Sequence, residues 1–187
     1  MTLNSFQLFG FNVRPLMKSD ITEKYLSWLQ DEEVTRFLGV DAQDYLSINQ
    51  LYEYFDEIDN YKKFLFGVFK DKKHVGNFTV NSIDYKNGIF DIGYFIGDKS
   101  YWGSKAGEVA IVCALKFAFE NLGLRKIFGG ILEPNISARL LAKKIGFIQE
   151  GILKDRVRMG DNLVNSMIVT MDSTYWSNEC RNKYDFR

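Results

Sequence analysis

Apolar and polar positions change period several times along the chain, and the changes mark out its elements. From Phe6 to Arg14, FQLFGFNVR alternates imperfectly and stops before Pro15, which predicts a first strand. Ser19 or Asp20 then caps a helix carrying Tyr25, Leu26, Trp28 and Leu29. Acidic residues in DEEVTRFLG precede a short helix from Val34 to Leu38. Asp41 to Ile58 spaces Tyr45, Leu46, Ile48, Leu51, Tyr52 and Phe55 over a broad apolar helical surface.

In the middle of the chain the period falls to two. Strands are predicted at Phe64 to Phe69, His74 to Ile83 and Ile89 to Gly97, joined by turns at Lys70 to Lys73 and Tyr85 to Gly88, hence antiparallel hairpins. Ser104 to Asn121 returns to helical spacing, KIFGGIL is a strand, and NISARLLAKKIG is a helix closing at Gly146. Phe147 to Val157 and Leu163 to Met171 are β-rich. WSNECRNKYDFR has no usable period and is expected to be a peripheral or frayed tail from about residue 174. This order suits a mixed α/β sheet better than a helical bundle. With Pro15 and Pro134 the only prolines and no Gly/Ser-rich linker, a single domain over residues 1–187 is expected.

Composition narrows the function classes. Lys+Arg and Asp+Glu are equal at 24 each, so no general charge excess invites a polyanion, and nucleic-acid binding is disfavoured. No apolar stretch reaches membrane length, and the expectation is a cytoplasmic protein without a membrane span. Cys113 lies in an apolar run and Cys180 in the polar tail, so a disulfide is disfavoured. The single His74 follows two lysines and reads as a solvated turn residue; with no cysteine cluster, no metal site is expected.

The start of the long apolar helix is unusual. In YWGSKAGEVA, the small residues Gly103, Ser104, Ala106 and Gly107 crowd the first turn, where backbone N–H groups lack helical partners, and Lys105 adds a cation. An anion can approach such a turn closely, although an ordinary helix start has the same composition.

These residues resemble the junction W-G-K-G-Y-A-T-E-A of the GCN5-related N-acetyltransferase superfamily, particularly its ribosomal-protein N-terminal and amino-sugar acetyltransferase branch. Trp102 to Ala110 is the matching stretch, with Lys105 in place of the second glycine. A second match is EPNISARLLAKKIGF, Glu133 to Phe147, which is similar to the family's asparagine-led helix. Looser matches over Val13 to Gly39 and the C-terminal hairpin extend the resemblance over almost the whole chain. It implies the family's acyl-CoA N-acyltransferase fold, a mostly antiparallel sheet of about seven strands flanked by helices.

The resemblance also implies acetyl-CoA as cosubstrate, with backbone N–H groups from Gly103 to Glu108 cradling its pyrophosphate and Asn135 near the pantetheine arm. Arg139 falls near the same cofactor. Asn135 is equally a helix cap, and Arg139 equally a solvated side chain. The backbone of Gly93, Tyr94 and Phe95 is implied at the thioester. Where many relatives place a leaving-group tyrosine or serine, this chain has Ala142 and Ala138; Ser137, one residue away from the serine position, is the remaining candidate, with capping as its ordinary role. Asp91 is the candidate proton acceptor, or else a strand-face charge.

For the acceptor, Tyr25, Trp28, Tyr45 and Tyr52 are candidate stacking residues and Arg156 and Arg158 candidate phosphate contacts, each with a core, rim or solvated alternative. The expected activity is acetyl transfer to a primary amine of a small molecule, an amino sugar or nucleotide-linked amino sugar, with a homodimer as the candidate assembly. The alternatives are acetylation of protein N-termini and a non-catalytic acetyl-CoA sensor.

Overall fold

The computed structural model describes residues 5–38 and 47–186. Eight strands form one sheet in the order β1-β2-β3-β4-β5-β6-β8-β7: β1 Phe6–Leu8, β2 Phe11–Pro15, β3 Phe64–Lys70, β4 Lys73–Asp84, β5 Ile89–Ile96, β6 Lys126–Leu132, β7 Ile148–Met159 and β8 Asn162–Asp172. Every neighbouring pair is antiparallel except β5 with β6. The eighth strand comes from the first predicted one, which is a hairpin. Phe9 and Gly10 both take positive φ, 51° and 72°, a tight turn whose twist suits the flanking strands. A phenylalanine in a position that favours Asn or Gly hid this turn from the pattern.

Helices cover both faces. On one lie α1 Glu23–Leu29, α2 Glu32–Thr35 and α3 Ile48–Asp56; on the other lie α4 Ala106–Lys116 and α5 Ile136–Ile145. α1 is capped by Thr22, which accepts from the Tyr25 N–H, rather than by Ser19 or Asp20. Asp20 instead binds the Arg14 guanidinium through two 2.7 Å bonds. The first part of the helix predicted from Asp41, with Tyr45, lies outside the described residues, and α3 begins after the Ser47 cap.

Strand alternation sends Phe64, Phe66, Phe78 and Phe90 to the α4 face, where they pack on Val109, Val112, Leu115 and Phe117. The opposite face carries Leu65 and Phe69 against Tyr25, Trp28, Leu29 and Leu51. The chain end is not peripheral: Trp176 and Cys180 are 0 % exposed, and Tyr184 stacks near Trp176 in the larger core. A run of short helical turns has no sustained period, so its apolar residues escape a helix or strand template.

Candidate active site

The site begins where β5 and β6 part. Their pairing stops after Phe90–Ile127, and among the described residues β5 then pairs only with β4. The Gly97 N–H donates to the Val75 carbonyl in the same register, so the amides of Asp91, Gly93 and Phe95 point to β4. Those of Ile92, Tyr94 and Ile96 point into the gap. The Ile92 N–H donates to the Asp91 carboxylate at 2.7 Å, and the Ile96 carbonyl accepts from Trp102 Nε1 at 2.7 Å. That leaves the N–H groups of Tyr94 and Ile96 facing the gap without a hydrogen-bond partner among the described residues. Of the three residues expected there, Gly93 and Phe95 are thereby corrected: their amides belong to the β4 ladder.

Asp91 is the first residue past the divergence. Burial pushes its carboxyl up to about 6, against the opposing contact from the Ile92 N–H. Such a group changes charge close to neutral pH, a range suited to accepting a proton.

At the other end of the gap, α4 starts with little capping. Lys105 occupies the cap position but its side chain caps no backbone N–H, and the Ser104 hydroxyl accepts from the Ala106 N–H. The amides of Lys105, Gly107 and Glu108 have no hydrogen-bond partner among the described residues, and a Cβ on Gly103, at φ +74°, would meet nothing within 4 Å. Gly107 is small for a different reason: its Cβ would lie 3.3 Å from Leu141 and 3.5 Å from the Tyr94 ring, so glycine lets α4 sit close to β5 and α5.

Below these amides, the Glu108 side chain turns inward. It is 5 % exposed and bonded to Lys105 Nζ at 2.8 Å and Lys144 Nζ at 2.7 Å. Burial alone raises its carboxyl, but the two ammonium groups outweigh it and hold the group ionised. Two cations on one anion leave a surplus positive charge beside free N–H groups, an arrangement that attracts a pyrophosphate.

On the α1–α3 face a cavity of about 270 Å³ reaches the gap. Tyr25, Leu29 and Tyr54 form its helical wall, and Asn77, Thr79, Asn81 and Gly93 its strand wall. Asn81 Nδ2 donates to Thr79 Oγ1 at 2.9 Å, and a Cβ on Gly93 would approach that oxygen to 3.1 Å, so the glycine keeps the floor open. No Asp or Glu stands among the described lining residues.

The remaining expected residues scatter. Asn135 caps α5, accepting from the Ala138 N–H at 3.1 Å and the Ser137 hydroxyl at 3.0 Å, while the exposed Arg139 donates to the Glu133 carbonyl. Ser137 is thus engaged by the cap and exposed. Trp28 is buried under Gly97, whose Cβ would fall 2.1 Å from the indole, and Tyr52 packs at the edge of the α1–α3 core; neither lines the cavity. Arg156 and Arg158 are exposed on β7, away from it. His74 is not a solvated turn residue: it lies between Phe69 and Trp28, ring centroids 5.0 and 5.1 Å away, and burial lowers its pKa. Reading the chain alone passed over Asn77, Thr79 and Asn81. Their alternation in NFTVN was the available signal, a polar stripe on a strand with partners on both sides.

A sheet whose parallel pair opens beside an uncapped helix start is the architecture of acyl transfer that the sequence resemblance implies. The acetyltransferase (GNAT) domain family matches residues 11–148, and the chain belongs to it. It is accordingly an acetyl-CoA-dependent acyltransferase. A probable N-acetyltransferase of Bacillus subtilis, YjcK, is 28 % identical over 159 residues, covering 79 % of this chain and 85 % of the relative. Among solved structures, spermidine N-acetyltransferase from Vibrio cholerae in complex with CoA and spermine has a TM-score of 0.82 at 20 % identity, covering 90 % of this chain and 99 % of that one. The ribosomal-protein-S5-alanine acetyltransferase of Vibrio fischeri has a TM-score of 0.79 at 17 % identity, covering 92 % and 98 %. At these identities the structures share the fold.

Proposed function

We propose that the chain transfers acetyl from acetyl-CoA directly to the primary amine of a small oxygen-bearing molecule, with an amino sugar as the leading class. The observation that carries this reading is the gap itself, which joins free amides at the α4 start to a cavity on the opposite face of the sheet. Acetyl-CoA supplies the activated thioester. Gly103 to Glu108 hold its pyrophosphate by backbone N–H groups, with the Lys105–Glu108–Lys144 cluster adding charge. Asn135 and Arg139, at the start of α5, lie along the arm of the cofactor.

The Tyr94 N–H in the gap is placed to donate to a thioester carbonyl oxygen as negative charge develops there. Asp91 takes the proton that the attacking amine loses. No protein nucleophile is needed, and the described residues include no cluster of His, Cys, Asp and Glu able to hold a metal.

The cavity lining favours an oxygen-bearing acceptor over a polyamine. A linear polycation needs carboxylates to replace its water, whereas the described lining offers aromatic rings, amides and hydroxyls. Thiol release and product mass, measured with acetyl-CoA across amino sugars, their nucleotide conjugates, polyamines and N-terminal peptides, test the reading. Acetylation of an amino sugar is the expected result. Turnover confined to peptides moves the activity to protein N-termini, and binding without any turnover points to a sensor.

A further inference from the structure

The strand wall of the cavity carries three polar side chains, Asn77, Thr79 and Asn81, at alternate positions of β4. Asn77 is closed to a ligand. It is 2 % exposed, its Oδ1 lies 2.7 Å from His74 Nε2, and its Nδ2 is buried. Thr79 and Asn81 are half-buried lining residues.

The strand register sets these two in a square. Thr79 lies opposite Gly93 and Asn81 opposite Asp91, and side chains so paired on one sheet face stand about 5 Å apart. Gly93 is the empty corner. A Cβ there would meet Thr79 Oγ1 at 3.1 Å and Asn81 Nδ2 at 3.9 Å, and no other atom within 4 Å. The hydroxyl and the amide therefore border an open notch, on the face where Phe95 joins the α1–α3 core. Gly93 has no positive φ, so space rather than backbone conformation is what the glycine supplies.

The hydrogens at the notch follow from the partners. Thr79 Oγ1 lies 3.5 Å from the Gly93 carbonyl, which only accepts, so the hydroxyl hydrogen points there. Oγ1 then accepts from Asn81 at 2.9 Å, and the Asn81 atom at the notch is Nδ2. Asn81 Oδ1 turns away to accept from the Ser82 hydroxyl at 3.2 Å. One of the two Nδ2 hydrogens is spent on Thr79, and the other has no partner among the described residues.

We infer that Asn81 Nδ2 and the space over Gly93 select the acceptor, the amide donating its second hydrogen to an oxygen on the carbon next to the reacting amine. This rests on the acetyltransferase reading and deepens it. Asn81 and Asp91 are direct cross-strand partners, so the amine facing Asp91 and the oxygen facing Asn81 are near neighbours in the substrate. The Tyr94 N–H follows Gly93 directly, which sets that amine beside the thioester carbonyl. A hydroxyl in a 2-amino sugar and a carbonyl in an α-amino amide both supply the oxygen. Alkylamines and polyamines lack it.

The test compares wild type, Asn81→Leu and Gly93→Ala with glucosamine, alaninamide, cyclohexylamine and spermidine as acceptors. Leucine removes the donor at similar volume, and alanine fills the notch. In wild type, glucosamine or alaninamide is expected to exceed both oxygen-free amines in kcat/KM, and the better of the two tells hydroxyl from carbonyl. Each variant is expected to raise the KM of that amine at least tenfold, with acetyl-CoA affinity unchanged; in Asn81→Leu, kcat changes less than threefold. Preference of wild type for an oxygen-free amine, or an unchanged KM in either folded variant, overturns the inference.

A second readout is independent of turnover. In 15N-labelled protein with CoA bound, the side-chain NH2 signals absent from Asn81→Leu are expected to shift on saturation with glucosamine or alaninamide. If none of the four amines is acetylated, the proposed activity fails, while these signals still decide Asn81: a shift supports the contact, and no shift with either probe overturns it.

Discussion

At the scale of single residues, the Asp91 carboxyl ties chemistry to stability. Because burial lifts it from 3.8 to about 6, the base form is available only above that value. The kcat/KM profile should rise with pH through an apparent value near 6, and Asp91→Asn should lower kcat about a hundredfold or more and abolish that acid limb. The same shift acts on folding with the opposite sign. A carboxyl raised in the folded state favours folding below its ordinary value and loses that advantage as pH climbs through the folded value. Asp91→Asn should therefore melt higher than wild type near neutral pH, by at most about 3 kcal/mol in stability, and match it below about pH 4. A variant that loses activity without the pH-dependent gain would place Asp91 in solvent.

Glu108 makes the converse case. Its carboxylate pairs with both Lys105 and Lys144 and accepts from the Tyr184 hydroxyl at 3.5 Å, tying α4, α5 and the chain end together. Glu108→Gln removes the charge both lysines share, and a loss of about 1–3 kcal/mol in denaturant unfolding is expected.

At the scale of elements, α4 and the chain end show how small and large residues divide the work. Gly107 permits the close approach of α4 to β5; Gly107→Leu, which has no room beside Leu141 and Tyr94, should push the helix start away and raise the Kd of CoA at least tenfold in calorimetry. The chain end contributes volume instead. Trp176 is fully buried beside Phe119 and Tyr184, and its Nε1 donates to Glu120 at 3.1 Å. Trp176→Ala should cost about 3–5 kcal/mol, visible as a lower thermal midpoint. A frayed tail would leave the midpoint unchanged.

At the scale of the whole molecule, the balanced charge seen in the sequence remains a fair description, but the site works with a local imbalance. Two lysines around one buried glutamate stand at the helix start, while the described cavity lining across the sheet carries no carboxylate. On the proposed function, that asymmetry sets the anionic cofactor at the helix start and the amine acceptor in the cavity, and neither side changes the net total.

The sequence by itself determined the order of elements, the three middle strands, the asparagine-led helix and the small-residue start of α4, because these rest on local periodicity, capping and backbone freedom. It also carried the family, through motifs contiguous in the chain. Tertiary structure decided which strand amides are free, since a single rung of register exchanges Tyr94 with Gly93 or Phe95. It decided that Trp28 packs in the core while Tyr25 and Tyr54 line the cavity, because neighbouring apolar positions on short helices are distinguished only by what packs against them. It decided, too, that His74 fixes Asn77. Only the β3–β4 hairpin and α1, separate in the chain, bring together the rings that enclose that imidazole and leave the Asn77 amide nitrogen buried without a partner among the described residues.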